Sequence, residues 1–265
     1  MKESKLGFGI TGTLDLDTVK AIAIRAEELG LHSLWVNDTP GGDSLSRLAV
    51  AASVTSRLTL GTGVIPVDRR PVKTIVEGVR QHELPQKRLI LGIGSAAPPS
   101  PLARIGESLL ELQASLEAPI VVGALGPRMR RLGAEQSSGL LFNWLTPEFA
   151  LETTATMKSQ AAAAGNGHVA SATYIRTALG VDAKVRLESE AAKYSQIPSY
   201  AANFERLGIT AMETAVYSES ADGIAGGIEE FDGAVDHAIV RAITVNDDLD
   251  HYLRLLDAIS PEISA

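Results

Sequence analysis

Apolar residues occur along this chain in short runs, and between the runs they recur at helical spacing. Residues 6–10, 32–36, 57–65, 88–93, 119–123, 139–143, 173–180 and 237–243 read as strands. The runs are brief and almost wholly apolar, the pattern of strands buried on both faces. After the first of them, Val19, Ile22, Ala23, Ala26 and Leu29 fall on one face of a helix that Asp15 or Asp17 caps and Gly30 stops. Further helices are predicted over 44–55, 72–84, 102–116, from 127 to about 135, 147–164 and 247–259, with three more near 184–194, 200–207 and 220–231.

Strand and helix alternate eight times with short connections, which predicts a parallel sheet. Eight such units closing on themselves predict an α/β fold of the (β/α)8 TIM barrel type, parallel and eight-stranded, as one domain over residues 1–265. An open doubly wound sheet is the alternative. Its first turn here, Gly9-Ile10-Thr11-Gly12-Thr13, is not a dinucleotide fingerprint.

Composition narrows the function. The net charge is −8 and no long basic block occurs, so nucleic acid is not an expected partner. There is no cysteine, which excludes disulfides, thiolate metal sites and cysteine catalysis. The five histidines, His32, His82, His168, His237 and His251, show no metal-ligand spacing, and no metal is expected. No apolar run is long enough for a membrane span and the start lacks a signal-peptide core, so a cytoplasmic protein is expected.

A barrel of this kind carries its active site at the C-terminal strand ends. Those ends hold Asn37-Asp38, Gly63-Val64, Gly94-Ser95, Gly123 to Pro127, Asn143-Trp144, Arg176-Thr177, and Arg241 with Thr244. The set is rich in glycine and poor in acids and bases, which suits binding of a large planar or phosphorylated ligand. In residues 57–71, Gly61 and Gly63 interrupt an apolar strand before Arg69 and Arg70. Such glycines mark a bulge or a ligand's approach to the backbone; a tightly packed strand with solvated arginines is the other reading.

Pro127 opens a helix whose free amides suit phosphate, with Arg128, Arg130 and Arg131 adding charge; a plain glycine-proline helix start is the other reading. The helix end contributes only about 0.3–1 kcal/mol, against roughly 8 for micromolar affinity, so ring burial must supply most of the binding. Asp38 either accepts a hydrogen bond from a ring nitrogen or caps its turn. Trp144 either stacks on a ligand or packs under a loop. Arg176 faces the mouth or is paired inside the barrel.

These residues resemble the bacterial luciferase-like superfamily of flavin- or deazaflavin-dependent oxidoreductases. The likeness runs through residues 29–38, 55–64 with Arg70-Pro71, 88–94, 123–129 and 143–148. It implies a barrel whose cofactor ring, coenzyme F-420 or FMN, lies across the mouth in front of a bulge. That bulge would carry a non-proline cis peptide at Gly63-Val64 or one bond away. Contacts to the cofactor would come from Asp38, Gly63, Val64, Gly94, Ser95, Gly123, Ala124, Gly126, Arg128, Trp144 and Arg176. The reaction implied is hydride transfer with a small organic substrate, and a homodimer is the implied assembly.

The chain also departs from the family. Thr39 stands where many relatives have histidine, and Ser95-Ala96-Ala97-Pro98-Pro99 replaces a glycine-rich run ending in an acid. The long insertion that usually follows is almost absent. No catalytic acid can be named. An open site shields oxygen intermediates poorly, which favours a deazaflavin reductase over an FMN monooxygenase. The alternative from another class is a degenerate barrel without catalysis.

Overall fold

The computed structural model describes residues 4–95 and 99–260. Ala96, Ala97 and Pro98 of the run noted above lie outside the described residues. Ten strands form in chain order: β1 (Lys5–Thr11), β2 (Ser33–Asn37), β3 (Thr59–Thr62), β4 (Ile65–Pro66), β5 (Leu89–Gly94), β6 (Ile120–Gly123), β7 (Gly139–Asn143), β8 (Ala170–Leu179), β9 (Val216–Ser218) and β10 (His237–Ala242). The helices are α1 (Leu16–Glu28), α2 (Ser44–Val54), α3 (Val72–Gln81), α4 (Pro101–Ser115), α5 (Pro127–Gln136), α6 (Pro147–Ala163), α7 (Val181–Ser195), α8 (Pro198–Leu207), α9 (Ala221–Glu229) and α10 (Leu249–Ala258).

The sheet order is β10-β1-β2-β3-β5-β6-β7-β8, and β10 pairs back onto β8, so eight parallel strands close a (β/α)8 barrel. The open alternative is thereby set aside. β4 continues β3, and β9 is an added strand on the C-terminal part of β8, pairing Val216 with Thr177. The helix starts follow the expected chemistry. Asp15 caps α1 by accepting from the Thr18 amide, Asp43 does so for α2 and Thr146 for α6.

Two cores result from the alternation of strand side chains. The outer one lies between sheet and helices and includes Phe8, Val36, Leu60, Leu91, Phe142, Ile175 and Val240. The inner one fills the barrel and consists of Trp35, Val121, Leu141, Ala172, Tyr174 and Ile239, with Val64 and Ile90 against them. β1 and β3 contribute glycine to the interior, and two large rings fill the space. A Cβ on Gly61 would lie 2.3 Å from the Trp35 ring, and one on Gly63 1.9 Å from the Tyr174 hydroxyl. Gly61 therefore makes room for a neighbouring side chain and not for a ligand. The packed-strand alternative describes this position.

The third strand differs from the continuous run expected over 57–65. Gly61 pairs with Ile90 and Ile65 with Ile93, so four steps on one strand face three on the other. The extra residue makes a bulge. Thr62 bridges it: its hydroxyl accepts from the Gly92 amide at 2.8 Å and donates to the Gly92 carbonyl at 3.0 Å. The Gly63-Val64 peptide within the bulge is cis, at the place the resemblance implies.

Candidate functional site

The C-terminal end of the barrel gathers most of the residues singled out by sequence. The bulge forms one wall. The Gly63 amide donates to the Val36 carbonyl at 3.0 Å, which ties the bulge to β2. The Val64 side chain lies across β5 and β6, where a Cβ on Gly94 or Gly123 would approach it to 2.7 and 2.9 Å. Gly94 and Gly123 thus let Val64 fold over the neighbouring strands. The Ser95 hydroxyl donates to Asp68 at 2.8 Å and accepts from Arg104 at 3.1 Å, a small polar cluster on the rim.

Asp38 follows β2 directly and is buried. Its Oδ2 accepts from the Ser44 hydroxyl at 2.7 Å and the Ser44 amide at 3.2 Å. Oδ1 lies 2.6 Å from Arg69, and Arg70 approaches Oδ2 to 3.1 Å. The carboxylate is thus engaged at both oxygens by the chain itself and fixes the start of α2 against the loop after the bulge. That is the capping alternative extended by an ion pair. Arg69 and Arg70, which follow the glycine-broken strand, are these partners; Arg69 is paired while still exposed, and Arg70 is partly buried.

Trp144 and Arg176 form a second assembly. Trp144 takes a left-handed backbone conformation, φ 56°, which bulky residues rarely adopt. It is buried in a cluster with Ala191, Phe204 and Ala211, beside Tyr194 and Tyr200, all carried by α7, α8 and the segment after them. The Arg176 guanidinium stacks 3.5 Å from the Trp144 ring centroid. Its Nε donates to Glu190 at 2.6 Å and its Nη1 to Asn143 at 2.5 Å. Trp144 therefore packs beneath the α7–α8 pair, and Arg176 is paired at the strand ends.

Burial pushes the Glu190 carboxyl up, but Arg176 and Arg241 outweigh it and hold the group below its ordinary 4.5. Burial likewise opposes the Arg186 and Tyr252 contacts that hold Asp247 below 3.8. A carboxylate whose folded value is depressed gives stability that is complete above its unfolded value and lost as pH falls through the folded one. Urea midpoints are therefore expected to be flat from pH 8 to about 5 and to drop below about pH 4. Midpoints that instead rise on acidification would oppose this assignment.

The phosphate region has Gly123 and Ala124 running into Gly126, the residue before α5, which has no side-chain cap. A Cβ on Gly126 would meet nothing within 4 Å, and Arg128 is exposed. Arg206, which the sequence left unplaced, and Arg130, which it put at this helix start, lie beside it. Arg206 of α8 donates to the Leu125 carbonyl at 3.4 Å, and also bonds Asn203. Arg130 leans toward α6, donating to Thr153 at 3.2 Å, while its Nε and Nη2 are buried without partners. Burial, with Arg206 nearby, lowers the Arg130 guanidinium to about 10.

Sequence reasoning missed Tyr174 and Glu190. Among the described residues, Asn37 Oδ1, Thr39 Oγ1, Tyr174 Oη and Arg241 Nε are buried polar atoms with no hydrogen-bond partner. They belong to β2, the loop after it, β8 and β10. Buried polar atoms are nearly always paired, and an orphan calls for a partner.

Comparison with known proteins agrees with the barrel fold. Residues 5–117 match the family model for luciferase-like monooxygenases. A 5,10-methylenetetrahydromethanopterin reductase from Methanolobus tindarius is 28% identical over 159 residues, covering 46% of this chain and 49% of that protein. The matched part of the chain thus spans about half the length of that relative. Among solved structures, an F-420-dependent secondary alcohol dehydrogenase in complex with an F-420-acetone adduct superimposes with a TM-score of 0.75 at 15% identity, covering 98% of this chain and 99% of that one. The oxygenating constituent of 3,6-diketocamphane monooxygenase from Pseudomonas putida, in complex with FMN, gives 0.68 at 15%, covering 97% of each. The two structures establish the shared fold, and the family match bears out the resemblance to luciferase-like proteins over residues 5–117. Among the described residues no helix is long and apolar enough to cross a membrane.

Proposed function

We propose that the chain is an oxidoreductase that holds coenzyme F-420, or FMN in its place, across the barrel mouth and uses it with a small organic substrate. The observation that carries this reading is the set of orphaned buried polar atoms on β2, the loop after it, β8 and β10, with the Tyr174 hydroxyl against the bulge. An apo barrel built only for stability would have paired or replaced them. A planar ring with carbonyl and N–H edges has the complementary groups, so the residues present fit such a group. The F-420-dependent dehydrogenase named above supports the deazaflavin, and the FMN complex supports the alternative.

In this reading the bulge at Gly63-Val64 backs the ring, and Gly94 and Gly123 keep the adjoining strand ends low. The uncapped amides of α5 with Arg128 and Arg206 hold an anionic tail. Asp38 acts one step removed, by fixing the loop after the bulge through Arg69 and Arg70. Arg176 and Trp144 seat α7 and α8 at the edge of the mouth. When bound, the cofactor supplies a ring carbon that takes up or gives a hydride. The protein's part is to bind, orient and exclude water.

The test is a titration of the purified protein with F-420 and, separately, with FMN, read by fluorescence. Micromolar affinity for one and not the other is expected and fixes the cofactor. A folded sample that binds neither refutes the proposal and leaves the degenerate barrel.

A further inference from the structure

Two of the orphaned atoms lie on adjacent strands and are hydrogen-bond donors. Tyr174 of β8 pairs in register with Ile239 of β10, and Arg241 follows two residues on, opposite Arg176. Both residues border Gly9 of β1, whose absent Cβ would meet the Tyr174 ring at 3.1 Å and the Arg241 backbone at 3.4 Å. The Tyr174 hydroxyl reaches across the barrel to the bulge, against Gly63. Arg241 is nine-tenths buried, and one of its terminal nitrogens bonds the Ala242 carbonyl, while Nε has no partner. Burial pushes the Tyr174 phenol up, so it stays protonated and can only donate or accept as a neutral group.

The local charge is unbalanced. Arg176 and Arg241 face one carboxylate, Glu190, because Asp247 is matched by Arg186 at 2.8 Å. A buried excess of positive charge with two free donors is a poor place for a cation and a good one for an electron-rich oxygen.

We propose that Tyr174 Oη–H and Arg241 Nε–H bind one electron-rich oxygen of the cofactor ring, a conjugated carbonyl or its anionic form, and that they set how the ring sits over the bulge. The inference rests on the mouth being the ring's seat, as proposed above. It adds the two residues that recognise the ring itself, where the α5 region recognises its tail.

The experiment compares wild type, Tyr174→Phe and Arg241→Lys. The last keeps the charge beside Glu190 and removes the Nε donor. Two quantities are read: affinity for F-420 and for FMN, and the melting temperature of the protein with nothing bound. Losing a hydrogen bond to a charged or strongly polarised oxygen is expected to weaken binding about tenfold or more in each variant. Removing an unpartnered hydroxyl leaves the unbound Tyr174→Phe protein as stable as wild type or more so. The two changes together separate recognition from structure, since a structural hydroxyl would lower the melting temperature and leave affinity alone. Wild type that binds a ring, with Tyr174→Phe binding it equally, overturns this assignment only. Wild type that binds neither ring overturns the functional reading beneath it as well.

Discussion

Replacing Arg176 with methionine is expected to destabilise the folded protein by about 3–5 kcal/mol, the range for breaking a buried pair from one side. The guanidinium is 3% exposed and holds three neighbours at once: Glu190, Asn143 and the face of Trp144. Methionine refills much of the volume against the indole but offers nothing to Glu190. That carboxylate then loses the largest influence holding it ionised, while its burial remains. It must either take a proton or stay charged and unpaired, and both cost stability. The second arm is Arg176→Met with Glu190→Gln. Removing both charges leaves no buried carboxylate without its partner, and although Arg241 then loses its counter-charge, part of the loss should return. Chemical denaturation of the wild type, both single variants and the double variant gives the coupling directly. If the double variant were no more stable than Arg176→Met, the cost would lie in packing on Trp144 and the charge argument would fail. A further consequence is local. α7 carries Glu190 and α8 carries Phe204, so the loss should loosen this helix pair first, visible as faster amide exchange there.

The barrel was legible because its signal is periodic and repeated. Each strand is a short apolar run and each helix carries its own start, such as Asp15, Asp43 or Pro127. The closing contact between β8 and β10 needs no local mark once eight units are counted. Boundaries were less clear where side chains replace backbone pairing. Thr62 takes over the ladder at Gly92, so the third strand breaks where its composition stays apolar. β9 has only three residues and left no pattern to read.

The site was legible by location and less so by role. A glycine facing inward looks the same in sequence whether a ligand or a side chain fills the space, and Gly61 is filled by Trp35 from another strand. Asp38 read correctly as a strand-end carboxylate, but its partners Arg69 and Arg70 come from beyond the bulge. Tyr174 gave no signal, since a tyrosine in an apolar strand is ordinary. Only the closed barrel shows that its hydroxyl lacks a partner. Glu190 lay on a helix face like any other until α7 folded over β8.

The same interior leaves Gly61 no room for a side chain. Gly61→Ala is expected to cost roughly 1–3 kcal/mol, the usual range for overpacking, and Gly61→Val more. The added Cβ would stand 2.3 to 2.7 Å from three atoms of the Trp35 ring system, a separation that carbon atoms do not tolerate. Trp35 has little room to yield. It is fully buried, its Nε1 donates to the Ser33 hydroxyl at 2.9 Å, and Tyr174 meets its ring edge-on at 6.4 Å. Trp35→Phe shortens the obstructing ring and by itself leaves a cavity. Combined with Gly61→Ala, the two faults offset each other, so the double variant should be more stable than the sum of the single losses predicts. Strict additivity would show that the alanine is accommodated by backbone movement and that Trp35 is not the obstacle. A shift of Trp35 has a second expected effect, because Tyr174 rests on it and reaches the bulge at Gly63. Gly61→Ala should therefore weaken cofactor binding although the residue lies below the mouth. The layers of this barrel are stacked, and an error in the lower one is carried upward by rigid rings that have no other place to go.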